Sequence, residues 1–193
     1  MSRPMLAGWR LCALLMCVSG GLGIRAQAPA DPVPDSVYVG TPHDVVAKML
    51  EVAQVVKQDV VYDLGCGDGR IVVAAAKKYG CRGVGYDVDP VRIRESLENV
   101  QRNRVEPLVR IEKKDIFTLD LSPASVITLY LLPEMNLRLI PQLQKLKPGT
   151  RIVAHDYEIG GMKPVKSLTV NSKVDGVEHD VFLYVAPLVK EAD

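Results

Sequence analysis

The chain has 193 residues, enough for one domain with a real core, and 48% of them are hydrophobic. Its 24 Lys and Arg nearly balance 23 Asp and Glu, and the net charge of +1 comes with no basic run, so no nucleic-acid partner is expected. Aromatic residues, at 5%, also weigh against base stacking.

The N-terminal stretch stands apart. Arg3 and Arg10 flank the start of an apolar run from Leu11 to Ile24. Such a basic start and short run fit a secretory signal and fall short of the roughly 20 residues of a membrane span. Ala26 offers a small residue for cleavage, with a mature chain from near Gln27. Residues 1–28 therefore read as a signal peptide, with a membrane anchor through residues 11–24 as the alternative. Either reading predicts an exported or membrane-tethered protein. Residues 29–36, with Pro29, Pro32 and Pro34, read as an extended linker, and residues 37–193 as the folded domain.

Thr41-Pro42-His43-Asp44 reads as a helix start with Thr41 as its cap. Val45, Val46, Met49, Leu50, Ala53 and Val56 then recur at helical spacing. The stretch DVVYDLGCGDGR, Asp59 to Arg70, rises through a β-branched strand to Asp63 and then places glycines at 65, 67 and 69. A helix from Arg70 to Tyr79 closes at Gly80. CRGVGYDVDP is a second strand ending in acids, and Asp89-Pro90 caps a helix with the inner face Val91, Ile93, Leu97 and Val100. PLVRIEKKDIF supplies a third strand ending near Asp115, and ASVITLYLLP a fourth ending near Tyr130.

Pro133 opens a helix carrying Leu137, Ile140, Leu143 and Leu146, with a bend or interruption expected at Pro141. KPGTRIVAHDY is a fifth strand, and SLTV and DVFLYVAP pair antiparallel after it. The alternation predicts an α/β fold: a doubly wound, mostly parallel sheet with an antiparallel edge hairpin. Cys12 and Cys17 lie in the leader. Cys66 and Cys81 fall at opposite ends of neighbouring parallel strands, about 15 Å apart. A disulfide needs Cα atoms within about 7 Å, so two free thiols are expected.

Sheets of this kind bind ligands beyond the carboxyl ends of their strands. The expected polar clusters fall there: Asp63 with the glycines, Asp87, Asp89, Asp115, Tyr130, His155 and Asp156. A dinucleotide fingerprint wants G-x-G-x-x-G, but Arg70 stands where the third glycine would be. Asp63 and Asp68 would repel a pyrophosphate and attract an ammonium. Asp87, 18 residues beyond Gly69, can take both ribose hydroxyls. No Walker lysine follows the glycines. The cradle suits a cationic ligand that carries a ribose.

VVYDLGCGDGR, GVGYDVDP and RIEKKDIF, in this order, resemble the first three motifs of class I S-adenosylmethionine-dependent methyltransferases. VYVGTP, DGRIVVAAAKKYG and TLYLLPEMNLRL are similar to small lysine methyltransferases with an N-terminal membrane segment and their bacterial relatives. The resemblance implies a seven-stranded Rossmann-like methyltransferase domain over residues 37–193 with S-adenosyl-L-methionine as cofactor. It implies that Asp63, Gly65, Cys66 and Gly67 surround the methionyl part and that Asp87 binds the ribose hydroxyls bidentately. Asp115 would bond the adenine amino group, Ile116 would pack on the ring, and Thr41 would close over the site. AHDY after the fifth strand departs from the usual reading of this group.

Tyr130, Glu134, His155 and Asp156 lie on the rim opposite the cofactor and are candidates to meet the acceptor. For His155 a structural hydrogen bond competes with that role, and Asp89 reads better as a helix cap than as a ligand. No residue is assigned as general base and no metal ligand set is read. Methyl transfer asks mainly for in-line positioning of a neutral nucleophile. The expected activity is methyl transfer to a protein lysine, by a monomer. The alternatives are a small-molecule acceptor and an idle cofactor-binding module outside the cytosol, where no cofactor is made.

Overall fold

The computed structural model describes residues 38–191. The expectations for the leader at 1–28 and the linker at 29–36 lie outside the described residues. Seven strands form one sheet: β1 Val60–Leu64, β2 Arg82–Asp87, β3 Val109–Lys113, β4 Val126–Leu129, β5 Arg151–His155, β6 Lys166–Asn171 and β7 Glu178–Val185. Their order is β3-β2-β1-β4-β5-β7-β6. Strands β1 to β5 run parallel, and β7 pairs antiparallel with both β5 and β6. The helices are α1 His43–Val52, α2 Arg70–Tyr79, α3 Pro90–Asn103 and α4 Pro133–Leu143, with a short 3-10 turn at Ile116–Thr118. Among the described residues no helix is long and apolar enough to cross a membrane.

Strand alternation divides the core between the two faces of the sheet. Tyr62, Leu64, Ile127 and Ile152 point to the side of α4, packed with Leu139 and Leu143. Val61, Val126 and Val153 point to the other side, against Val45, Met49 and Leu50 of α1 and Ile71 and Ala75 of α2. The order of strands reverses between β1 and β4, so β1 and its glycine turn sit at the centre of the binding edge. Cys66 and Cys81 are both free and buried, as expected.

Three helix faces differ from the expectation. Helix α1 ends at Val52, and Gln54 turns to φ +51°, so Val56 leaves the core and is half exposed. Pro42, not Thr41, stands at the N-cap, and Thr41 turns its hydroxyl toward His155 instead. In α3 the buried face is Ser96 and Val100, while Val91 and Leu97 are exposed. The cause is contact with the glycine turn. A Cβ on Gly69 would lie 2.9 Å from the Ser96 Cβ, so only a small residue fits there and the bulkier Leu97 is rotated outward. In α4, Asn136, Leu139 and Leu143 face inward and Leu137 does not. Asn136 donates to the carbonyls of Tyr157 and Glu158, which draws the polar residue inside. The helix runs through Pro141 without interruption, because the missing N–H falls in its last turn.

Enlarging the contact at Gly69 is therefore expected to cost more than truncating the apolar residue beside it. Ser96→Leu should lower stability by about 1–3 kcal/mol, whereas Leu97→Ala should change it by about 0.5 kcal/mol or less. Urea denaturation of both variants measures the difference. Equal losses would contradict the observed orientation of α3.

Candidate active site

Gly65, Gly67 and Gly69 all hold positive φ, at +78°, +54° and +72°, a region that strains residues with a Cβ. Each one also lets a neighbour come close. A Cβ on Gly65 would lie 2.9 Å from Leu131, and one on Gly67 only 2.0 Å from the Tyr38 ring. The turn is anchored to β2. Gly65 N–H and Cys66 N–H both donate to the Tyr86 carbonyl, at 2.9 and 2.8 Å. Gly67 N–H donates to Asp87 Oδ2 at 2.9 Å, and Asp89 N–H donates to Asp87 Oδ1 at 2.9 Å. One carboxylate thus ties the glycine turn to the start of the next turn. Each of its oxygens keeps a second lone pair for a hydroxyl.

A strap from Tyr38 to Thr41 crosses in front of this turn. Arg70 donates through Nε and Nη2 to the two oxygens of Asp68, each at 2.8 Å, and through Nη1 to the Thr41 carbonyl at 2.8 Å. A planar fork of this kind fixes orientation as well as charge. Gly40 is needed because the Arg70 guanidinium would stand 2.5 Å from a Cβ there. Burial works against the Asp68 charge, but its bonds to Arg70 hold it below the ordinary carboxylate range. Arg92 lies 4.7 Å above the Tyr38 ring.

Between strap and sheet edge lies a cavity of about 470 Å³. One wall is the strap, with Gly65 and Cys66 below it, and another is Asp87, Val88 and Asp89. Asp115, Ile116 and Phe117 form the third side, with Tyr130, Leu131, Met135 and Arg138 at the far end. Asp115 accepts from the Phe117 N–H at 2.9 Å, so it caps the 3-10 turn while it lines the cavity. Asp63 lies beneath the turn, 2% exposed. Its Oδ1 accepts from the Thr128 hydroxyl at 2.7 Å, and its buried Oδ2 has no hydrogen-bond partner among the described residues. Burial, opposed by the Thr128 bond and reinforced by the charges of Asp87 and Asp68, pushes its carboxyl up to about 7. The same burial and the charges of Asp63 and Asp87 hold the Cys66 thiol well up, and it is no nucleophile at neutral pH.

Of the residues singled out from sequence, Gly65, Cys66, Asp87, Asp115, Ile116, Tyr130 and Thr41 meet in this cavity. Asp63 and Gly67 lie under it, whereas Glu134, His155 and Asp156 are outside its lining. His155 is fully buried against the Tyr130 ring, with centroids 3.9 Å apart, and burial lowers its pKa to about 4. Tyr130 is pushed up to about 12 by burial and by Asp156. Tyr38 and Arg70 were missed as parts of the site. The Asp68-x-Arg70 charge pair was the one local signal for Arg70, and nothing local marks Tyr38.

Residues 63–166 match the model of the ANTKMT methyltransferase domain. The chain belongs to the ANTKMT methyltransferase family. A protein-lysine N-methyltransferase of Saccharolobus islandicus is 47% identical over 156 residues, 79% of this chain and 95% of that relative. An ATP synthase lysine N-methyltransferase of Xenopus laevis is 32% identical over 161 residues, 79% of this chain and 70% of its own. An RNA methyltransferase of Salinibacter ruber, solved with S-adenosyl-L-homocysteine, aligns with a TM-score of 0.73 at 40% identity. That alignment covers 80% of this chain and 98% of the solved one. The protein is thus an S-adenosyl-L-methionine-dependent methyltransferase with the seven-stranded, mostly parallel sheet of that fold. The residues present fit this cofactor: the orphaned Asp63 oxygen and the neighbouring acids favour a cation, and the turn is open to close approach.

The raised Asp63 carboxyl makes the cofactor-free methyltransferase pH-sensitive. Folding binds a proton there more tightly than the unfolded chain does, so this contribution is full below about pH 4 and lost as pH rises through about 7. Asp63→Asn should keep the melting temperature from falling over that window relative to the native protein. Parallel thermal melts from pH 4.5 to 7.5 check it. Curves of identical slope would place the ionised carboxylate in a polar environment.

Proposed function

We propose that the methyltransferase acts on the ε-amino group of a protein lysine. The observation that carries this reading is the match over almost the whole length of the Saccharolobus islandicus protein-lysine N-methyltransferase. The far end of the cavity agrees with it. Leu131, Met135 and Tyr130 offer an apolar and aromatic passage, and Tyr157 stacks beside Tyr130 at 6.4 Å. An aliphatic lysine stem suits such walls, and low polarity lowers the amine pKa toward the neutral, nucleophilic form.

In this proposal Asp63, Gly65, Cys66 and Gly67 face the methionyl part of the cofactor, and Asp87 receives the two ribose hydroxyls on its remaining lone pairs. Asp115 and Ile116 hold the adenine by hydrogen bond and apolar contact. When bound, the cofactor supplies a methyl group already activated on a sulfonium. The chain's own residues orient it and keep water out: the Tyr38–Thr41 strap covers one side, and Tyr130 and Met135 guide the amine in line. Tyr130, with its pKa pushed up to about 12, stays a neutral wall and hydrogen-bond donor. Glu134 and Asp156 stand as candidates to attract the lysine-bearing substrate, and the catalytic form is a monomer. We further propose that residues 1–28 serve as an export signal or membrane anchor, which the N-terminal mass of the protein from its native host would establish.

Purified protein and methyl-labelled cofactor, incubated separately with protein and with RNA from the host, test the acceptor class. Label on lysine side chains, located by mass spectrometry, is the expected result, and label confined to RNA would overturn the proposal. For the cofactor contacts, Asp87→Ala should weaken binding by about 2–3 kcal/mol, roughly 30–150-fold. It removes a charged acceptor and frees Gly67 N–H and Asp89 N–H together. Unchanged affinity by calorimetry would remove Asp87 from the ribose site.

A further inference from the structure

Behind Tyr130, at the carboxyl end of β5, lies a cluster outside the lining of the cofactor cavity. His155 Nε2, His179 Nδ1 and Asp156 Oδ2 converge: the two ring nitrogens are 3.0 Å apart, His179 Nδ1 is 3.1 Å from the carboxylate oxygen, and His155 Nε2 is 3.4 Å from it. Among the described residues this is the group of His and acidic side chains whose donor atoms meet closely enough for an ion. His155 is fully buried, His179 is 8% exposed, and Asp156 is held inward by a backbone at φ +58°.

The outer nitrogens settle where the ring protons go. His179 Nε2 stands 3.0 Å from the Asp175 carboxylate, which can only accept, so this nitrogen carries a hydrogen. His155 Nδ1 stands 3.1 Å from the Thr41 hydroxyl, which can accept from it. The second Asp156 oxygen accepts from the Asp180 N–H at 3.1 Å. With those partners assigned, three lone-pair atoms face one another and at most one proton is available among them. A hydrogen-bond network alone leaves this centre under-supplied with donors. Metal sites show the same outer arrangement: each ligating histidine donates its other N–H to an oxygen, and the ligating carboxylate is itself hydrogen-bonded.

We propose that His155 Nε2, His179 Nδ1 and Asp156 Oδ2 bind a divalent transition metal of the zinc class. The spacing fits such an ion. A point about 0.9 Å off the plane of the three atoms lies about 2.05 Å from each, the usual length of zinc bonds to nitrogen and oxygen. Two imidazoles and one carboxylate favour zinc and its neighbours over magnesium or calcium, which prefer all-oxygen shells. Binding expels the shared proton, and the open side of the ion takes water as a further ligand. The ion's work is structural. It clamps the end of β5 to β7, and through His155 it fixes Thr41, so the strap that covers the cofactor is tied to the metal. His155 and His179 are 24 residues apart in the chain, and their pairing comes only from the antiparallel addition of β7.

Tag-free protein, stripped with chelator and titrated with Zn²⁺ or with Co²⁺ as an optical probe, tests the site. One equivalent per chain is expected, with a tetrahedral or five-coordinate cobalt spectrum that lacks thiolate charge transfer. His179→Ala and Asp156→Asn should abolish that equivalent. Asp175→Asn alters only an outer partner on an exposed side chain, and should weaken the affinity about 10–100-fold while the far-ultraviolet circular dichroism stays native. Native protein that takes up no equivalent at micromolar zinc would overturn the proposal. So would uptake that persists unchanged in folded Asp175→Asn and His179→Ala, since the ion would then sit elsewhere.

Discussion

Asp87 is the constraint on which the binding edge depends. Its two oxygens hold Gly67 N–H of the first turn and Asp89 N–H of the second, so both turns are set from one point at the end of β2. Asp89 in turn caps α3 by accepting from the Val91 N–H at 2.7 Å. Helix α3 then presents Ser96 to Gly69, and its Asn99 donates to the Asp68 carbonyl. The glycine turn, the helix that packs on it and the acid expected at the ribose are therefore one unit. A ligand entering here meets a backbone that is already arranged, which lowers the ordering cost of binding.

That arrangement gathers negative charge where the fold cannot fully neutralise it. Asp68 is matched by Arg70, and Asp87 by backbone N–H groups. Asp63 has only Thr128 and keeps one buried oxygen without a partner, a costly state for an ionised group. Such local conflict is what a site built for a cation looks like before the cation arrives. The Arg70 fork adds a second function, since the side chain that balances Asp68 also holds the strap through Thr41. Charge balance and coverage of the cavity are thereby coupled in one residue.

The strands and their order of use were legible in the sequence because β-branched runs alternate with helical stretches and each strand ends in a distinctive polar residue. The glycine turn and Asp87 were legible for the same local reason. Helix faces were read less well. In α3 the apolar spacing pointed to Leu97, but close contact with Gly69 selected Ser96, and in α4 two backbone carbonyls drew Asn136 inside. Tyr38 and His179 had no local signal at all. Tyr38 matters because it fills the space that a side chain at Gly67 would take, and His179 because β7 lies beside β5. Contacts across tens of residues have no periodicity to reveal them.

Above all, the glycine turn is held in its binding shape by Asp87 before any cofactor is present. Amide hydrogen exchange at Gly67, measured on the free protein and on the protein with S-adenosyl-L-methionine, tests this most directly. Slow exchange in the free protein, changed little by cofactor but made fast by Asp87→Ala, is the predicted result. Fast exchange in the free protein that becomes slow only with cofactor would contradict it, because the turn would then be ordered by its ligand.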